Sequence, residues 1–345
     1  MFVNRLRLYN VKPLRRDMPG DGAEFPEPAR QRLLLQGGNG SGKTTVLETI
    51  RVLWEFFGEW IDRGPGKRPV AGQSRHYLFK ADVVALELRG FLLAEQSLWL
   101  GIAGANDWAD LKHAHPDALF AGLVRYGKKP DQARIELPTG REWKSLRDSS
   151  LVGREPLPNI IHFPPDNRTV AGPPKEGARL IDPKPLNWSG LYNPKLDLDS
   201  LLLTVKALRP ENYSESLRLI NLAIGHRNKR IADFGEDGRL TVEGTSEYGV
   251  AYSHSVEELS SGERQMLLLI AYTVGFLRDG GIVLIDEPDL HIHISMVAQL
   301  METLELVVRQ RHGQLIAASH SEFVWERFSR DAERIELSPW RGGPA

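Results

Sequence analysis

Gly37-Gly38-Asn39-Gly40-Ser41-Gly42-Lys43-Thr44 decides how the rest of the chain is read. The octet follows the spacing G-x-x-x-x-G-K-[S/T] in full, and its flanks supply the context that this spacing requires. Before it, Leu33-Leu34-Leu35 is a short apolar run that stops at glycine, as a buried parallel strand does when it ends in a turn. After it, Val46, Leu47, Ile50, Leu53, Trp54 and Phe57 recur at helical spacing and predict a helix over 44–57. The glycines let successive backbone N–H groups curl around a polyphosphate, and the following helix aims its positive end at the same charge. Gly37, Asn39, Gly40, Ser41, Gly42, Lys43, Thr44 and Thr45 are therefore candidate phosphate-binding residues. Lys43 is expected to reach the terminal phosphates, and the Thr44 hydroxyl to hold Mg²⁺.

A second constellation lies far downstream. Ile282-Val283-Leu284-Ile285-Asp286-Glu287 is an apolar strand ending in two carboxylates. A side-chain period of two sends Asp286 and Glu287 to opposite sides, so they are given different tasks. Asp286 is assigned to the metal, and Glu287 to polarising an attacking water as general base. Taken alone, the pair reads better as a strand end with solvated acids; the phosphate loop tips the balance.

Outward from these motifs, alternation over 2–9 predicts a half-buried strand, and Pro and Gly over 13–30 predict a loop or ragged hairpin. A loop is expected at 58–76, then strands near 82–89, 96–103, 120–126, 132–137 and 159–163. Seven prolines between 164 and 194 forbid a long helix there. Helices are expected near 197–208 and 211–225, then a hairpin turning at Asp237-Gly238. The last third reads helix 262–278, strand 281–286, helix 292–311, strand 314–318, helix 321–328. The expected domains are 1–165, 166–250 and 251–345.

Composition narrows the class. The chain has 345 residues, 44 Lys and Arg against 45 Asp and Glu, and 41% hydrophobic residues, which is the balance of a folded protein. No cysteine is present, which removes disulfides, cysteine-containing zinc sites and thiol chemistry. No apolar run reaches the length of about 18 residues that suggests a spanning helix, and the N-terminus is no signal peptide, so a cytoplasmic protein with no membrane contact is expected. A net charge of -1 means that any nucleic-acid contact must be local. Lys67, Arg68, Arg75 and Lys80 form one basic cluster, and Arg227, Lys229 and Arg230 another; a solvated face is the plainer reading of each.

Leu259-Ser260-Ser261-Gly262-Glu263-Arg264-Gln265 opens a strongly apolar helix about twenty residues before Asp286. A serine cap followed by glycine converges hydroxyl, free N–H groups and helix dipole on one point. This segment resembles the L-S-x-G-[E/Q] signature of ATP-binding-cassette (ABC) ATPases. Asp289-Leu290-His291-Ile292-His293 stands where that family has its D-loop, and Ala317-Ala318-Ser319-His320 where it has its switch histidine. The resemblance covers 31–57 and 255–325. It implies an α/β fold with a mixed central sheet flanked by helices, an antiparallel β subdomain and a helical insertion. It implies ATP and Mg²⁺ as ligands, with Glu287 and His320 catalytic. It also implies that Ser260, Ser261 and Gly262 contact the nucleotide of a second copy in a homodimeric ATP sandwich. His291 and His293 would then lie at the dimer interface. Each residue has a plainer alternative: an N-cap with nothing bound, or a packed or solvated imidazole.

Lys43 and Ser260 are 217 positions apart, roughly twice the spacing of transport ATPases. That length, with the LSSGERQ and DEPDLHIH wording, resembles the branch of AAA-family P-loop ATPases holding RecF, SMC-like proteins, overcoming-lysogenization-defect nucleases and ATPase subunits of bacterial antiphage systems. Prolines block the branch's coiled coil, and few residues follow His320. A head-only ATPase regulating a separate effector protein, such as a nuclease, is therefore expected, with DNA binding left open. A transporter motor subunit and a slow nucleotide-sensing scaffold are the alternatives. The family's glutamine loop falls at Gln73 or in the region 163–168 and stays unassigned.

Overall fold

This computed structural model describes residues 1–11, 25, 29–63, 76–91, 96–127, 132–138, 157–165, 178–181, 188–191, 196–225, 228–235 and 237–337. Most of the expected loop at 13–30 lies outside the described residues. So do Lys67, Arg68, Gln73, Arg75, 166–168 and Arg227.

Strands β1 (Phe2–Tyr9) and β2 (Arg32–Gln36) precede helix α1 (Lys43–Arg63). Then come α2 (His76–Lys80), β3 (Val83–Arg89), β4 (Leu98–Gly104), α3 (Ala105–Ala114), β5 (Leu119–Arg125) and β6 (Ala133–Glu136). The middle holds β7 (Ile160–Phe163), β8 (Ser189–Leu191), α4 (Leu198–Leu208), α5 (Pro210–Gly225), β9 (Lys229–Ile231), β10 (Thr241–Thr245) and β11 (Ala251–Ser255). The last third is α6 (Ser261–Phe276), β12 (Ile282–Asp286), α7 (Ile294–Gln310), β13 (Gln314–Ser319), α8 (Glu322–Trp325), α9 (Arg330–Glu333) and β14 (Arg334–Glu336).

Among the described residues, six strands form the central sheet in the order β14-β2-β13-β12-β7-β8, and every neighbouring pair is parallel. Both faces are covered, which is why these strands read as unbroken apolar runs. Leu33, Leu35, Ile160, Ile282, Leu284, Ile316 and Ala318 join one core with α1 and the sheet β1-β3-β4-β5-β6. Their alternate neighbours Leu34, Ile161, Phe163, Val283, Ile285, Leu315 and Ala317 join a second core with α4, α5, α6 and α7. Helix α6 is buried nearly all round because α4 and α5 cover the side that the sheet does not. A small antiparallel sheet, β11-β10-β9, stands beside α5 and leads into α6.

The α/β architecture is as expected, with two corrections. Mixed strand direction belongs to the five-stranded sheet and not to the central one: β4 and β5 are parallel, because α3 crosses between them, while the other pairs are antiparallel. Helix α1 also runs past Gly58, where the expected helix stopped. The ring of Trp188 occupies the place of the missing side chain, since a Cβ on Gly58 would lie 2.3 Å from it. Trp60 and Ile61 then extend the buried face. Strand β9 begins two residues before the expected hairpin strand and ends at Ile231, and Gly238 takes the positive φ of 70° that the turn requires.

Candidate functional site

A parallel sheet gathers the C-terminal ends of its strands along one edge, and loops leaving that edge can share a site. Here β2 leads into the glycine loop, β12 ends at Asp286 and β13 ends at Ser319. Register aligns them: Leu35 lies beside Ala318, Ala318 beside Asp286, and Gln36 beside Ser319.

The glycine loop is shaped by backbone that side chains resist. Gly40 and Gly42 have φ of 77° and 95°. At Gly37 (φ 157°) a Cβ would fall 2.4 Å from the Leu337 carbonyl and 2.7 Å from Ser41 Oγ. Lys43 is buried and donates from Nζ to the carbonyls of Gly37 (2.7 Å) and Gly38 (3.0 Å), curling over the loop. Asn39 and Gly40 are exposed, Thr45 is half-buried, and Ser41 Oγ is buried with no hydrogen-bond partner among the described residues.

Strand alternation puts Asp286 on the α1 side of the sheet, with Ile282 and Leu284. There its Oδ2 accepts a hydrogen bond from Thr44 Oγ1 at 2.5 Å. A hydroxyl and a carboxylate converging at the foot of a polyphosphate cradle are hard oxygen donors suited to Mg²⁺, so the residues fit the ion that the motif implies.

Glu287 does not owe its position to alternation. The strand stops at Asp286, and Glu287 turns into the left-handed region (φ 49°), held there by its N–H donating to the Ala318 carbonyl at 2.7 Å. The separation of the two acids, expected from the pleat, thus comes from a turn. His320, half-exposed just past β13, brings Nδ1 to 3.2 Å from Glu287 Oε1.

Ser260, Ser261 and Gly262 gather elsewhere. Ser260 is the N-cap of α6 in a capping box: Glu263 N–H donates to Ser260 Oγ, while Glu263 Oε2 accepts from Ser260 N–H (2.9 Å) and Ser260 Oγ (2.8 Å). Ser260 and Ser261 are exposed. Gly262 is buried, with its α-carbon against the loop 289–293; a Cβ there would lie 3.0 Å from Met296 Cε and 3.1 Å from the His291 carbonyl. Gln265 adds a hydrogen bond to the Leu290 carbonyl, so the signature tip and that loop form one packed unit. Among the described residues, no hydrogen bond or ion pair joins the serine tip to the cradle of the same chain. His293 caps α7, accepting from Ser295 N–H, and His291 is exposed at a φ of 62°.

Sequence reasoning missed Lys229 by reading it with Arg227 and Arg230 as one basic face. Strand alternation divides them. Arg230 points outward and pairs with Glu243, whereas Lys229 turns inward with Ile231 and pairs with Glu263 at 2.9 Å. The order Lys229-Arg230-Ile231, which puts Lys229 on the same face as an apolar residue, was the available signal. Burial opposes ionisation of Glu263, but hydrogen bonds from Lys229 and from the Ser260 hydroxyl and N–H outweigh it and hold the carboxyl down to about 2.

Comparison with known proteins finds one matching family model and several solved structures similar to the chain. Residues 161–325 match the family described as "AAA domain, putative AbiEii toxin, Type IV TA system". The chain is similar in structure to the SMC head domain from Thermotoga maritima, at 14% identity and a TM-score of 0.46, covering 94% of this chain and 92% of that one. It is also similar to an SMC head bound to the C-terminal winged-helix domain of ScpA, at 13% identity and a TM-score of 0.46, covering 94% and 91%. An ABC-transporter ATP-binding protein from Pyrococcus furiosus aligns at 12% identity and a TM-score of 0.35, covering 96% and 97%. No curated protein matches in sequence. The glycine cradle, the parallel sheet and the family match over 161–325 agree on an α/β P-loop fold. No helix among the described residues is long and apolar enough to cross a membrane.

Proposed function

We propose that the chain hydrolyses ATP and that two copies close face to face over two nucleotides, using this cycle to control a separate effector protein. The observation that carries the reading is the pairing of Thr44 with Asp286 and of Glu287 with His320 along one sheet edge, while, among the described residues, no hydrogen bond or ion pair joins the exposed Ser260 and Ser261 to that cradle.

Lys43 exchanges the carbonyls of Gly37 and Gly38 for the β- and γ-phosphates, and the N–H groups of residues 39–45 wrap the polyphosphate. Thr44 and Asp286 would hold Mg²⁺, which when bound would supply charge neutralisation for the phosphates. Glu287 accepts the proton of the attacking water. His320 orients Glu287 through the 3.2 Å contact and donates toward the γ-phosphate. Ser260, Ser261 and the Gly262 N–H complete the partner's site, with the dipole of α6 behind them. In this reading 1–165 and 251–345 are the two lobes of the head, and 166–250 is the insertion between them.

The toxin–antitoxin description of the matching family supports a defence role, with a toxic or nucleolytic effector as the regulated partner and DNA as a candidate trigger. Measuring mass in solution tests head closure. Glu287→Gln with saturating ATP should form a stable dimer, and Lys43→Ala should stay monomeric. A monomeric Glu287→Gln protein at micromolar concentration with bound ATP overturns the proposal.

A further inference from the structure

We infer that Lys229, on the small sheet outside the recognised motifs, is a positioning residue that sets the serine tip for its phosphate contact by holding Glu263 against Ser260. The inference rests on the head-closure reading above and adds a residue to it.

The argument begins with a charge conflict. A tip that is to receive a triphosphate carries a carboxylate one turn away, and its Oε2 already accepts both the N–H and the hydroxyl of Ser260. Unneutralised, that charge repels the phosphate. Lys229 Nζ binds the other oxygen, Oε1, at 2.9 Å, with the Glu263 side chain only 3% exposed and that of Lys229 22% exposed. In so little solvent an ion pair is weakly screened, so the ammonium offsets the carboxylate where the phosphate would otherwise feel it. A lysine draws on Oε1 while leaving Oε2 as the anchor of the cap.

The lysine itself is fixed in place. Asn221 on α5 grips the edge of β9 from both sides: its Oδ1 accepts from Ile231 N–H at 2.6 Å, and its Nδ2 donates to the Ile231 carbonyl at 3.0 Å. Strand β10 holds the opposite edge, with Gly244 beside Lys229 and Val242 beside Ile231. From β11 the chain passes through only Val256–Glu258 and Leu259 before reaching Ser260. The small sheet therefore holds the signature tip twice, through the chain and through the Lys229–Glu263 pair. Gln265 and the Leu290 carbonyl tie the same helix to the loop after the catalytic acids. A shift of α5 or of the small sheet, as a bound partner would cause, reaches the tip through Lys229.

The test uses full-length protein in the Glu287→Gln background, scoring ATP-driven dimer formation by light scattering over a range of ATP concentration. Binding of a fluorescent ATP analogue to the monomer is the parallel readout of the Lys43 cradle. Lys229→Met should raise the ATP concentration for half-maximal dimer by about tenfold or more, with analogue binding to the cradle unchanged. Lys229→Arg should recover most of the loss, and Glu263→Gln added to Lys229→Met should recover part of it by removing the uncompensated charge. A parent that dimerises while Lys229→Met dimerises equally well overturns this inference alone. So does a Lys229→Met defect that extends to analogue binding, or one that neither Arg nor the Glu263→Gln change relieves, since a merely structural role predicts those results. A parent that stays monomeric overturns the inference and the head-closure reading together.

Discussion

Two adjacent glycines of the phosphate loop should respond very differently to alanine. At Gly37 the added Cβ would sit 2.4 Å from the Leu337 carbonyl and 2.7 Å from Ser41 Oγ. The first neighbour is backbone, on a segment that donates its Leu337 N–H to the Gln36 carbonyl at 2.8 Å, so it cannot swing away as a flexible side chain would. Relief requires moving the strand end by roughly 1 Å, an overpacking cost of about 1–3 kcal/mol. The φ of 157°, which residues with a Cβ avoid, adds about 1–3 kcal/mol. Together these predict a melting temperature lower by about 5 °C or more for Gly37→Ala, with weakened nucleotide binding because the loop and Ser41 must shift. At Gly38 a Cβ would meet nothing within 4 Å, so Gly38→Ala should melt within about 1 °C of the parent. Differential scanning fluorimetry, with and without a fluorescent ATP analogue, reads both quantities. A Gly37→Ala protein that melts and binds like the parent refutes the steric reasoning, and equal damage at the two positions refutes the contrast.

Asp286→Ala removes the carboxylate that Thr44 contacts, and should lower phosphate release at least about 100-fold while magnesium ceases to strengthen nucleotide binding; unchanged magnesium dependence in a binding titration argues against the assigned role. His320→Ala should slow turnover by about tenfold or more with little change in nucleotide affinity, measured by steady-state phosphate release, and full activity would remove His320 from the mechanism. Glu263 should give an acid signature. Its carboxyl is held at about 2 against the usual 4.5, so its contribution is complete above pH 4.5 and fades as pH falls toward 2. The melting difference between parent and Glu263→Gln should be largest near neutrality and narrow below pH 4.5, whereas a difference independent of pH contradicts it.

The glycine loop, its strand and its helix were legible in the residues themselves, because local backbone chemistry dictates them: positive φ at Gly40 and Gly42, and an apolar period behind Lys43. The capping box from Ser260 to Glu263 is equally local. The side on which Asp286 lies was not legible, because both faces of the central sheet are buried and apolar and alternation alone does not tell them apart. What stayed hidden depends on partners distant in the chain. Nothing near Gly58 announces Trp188, and nothing near Leu98 announces that α3 will turn β4 and β5 parallel. Glu287 is held by the carbonyl of Ala318, and Lys229 meets Glu263 across 34 positions of sequence. Short-range patterns fix torsion angles and buried faces, whereas the neighbours of a polar group are chosen by how whole strands and helices stack. The chemistry that this chain can carry was therefore written locally, and the contacts that aim it were decided only by packing.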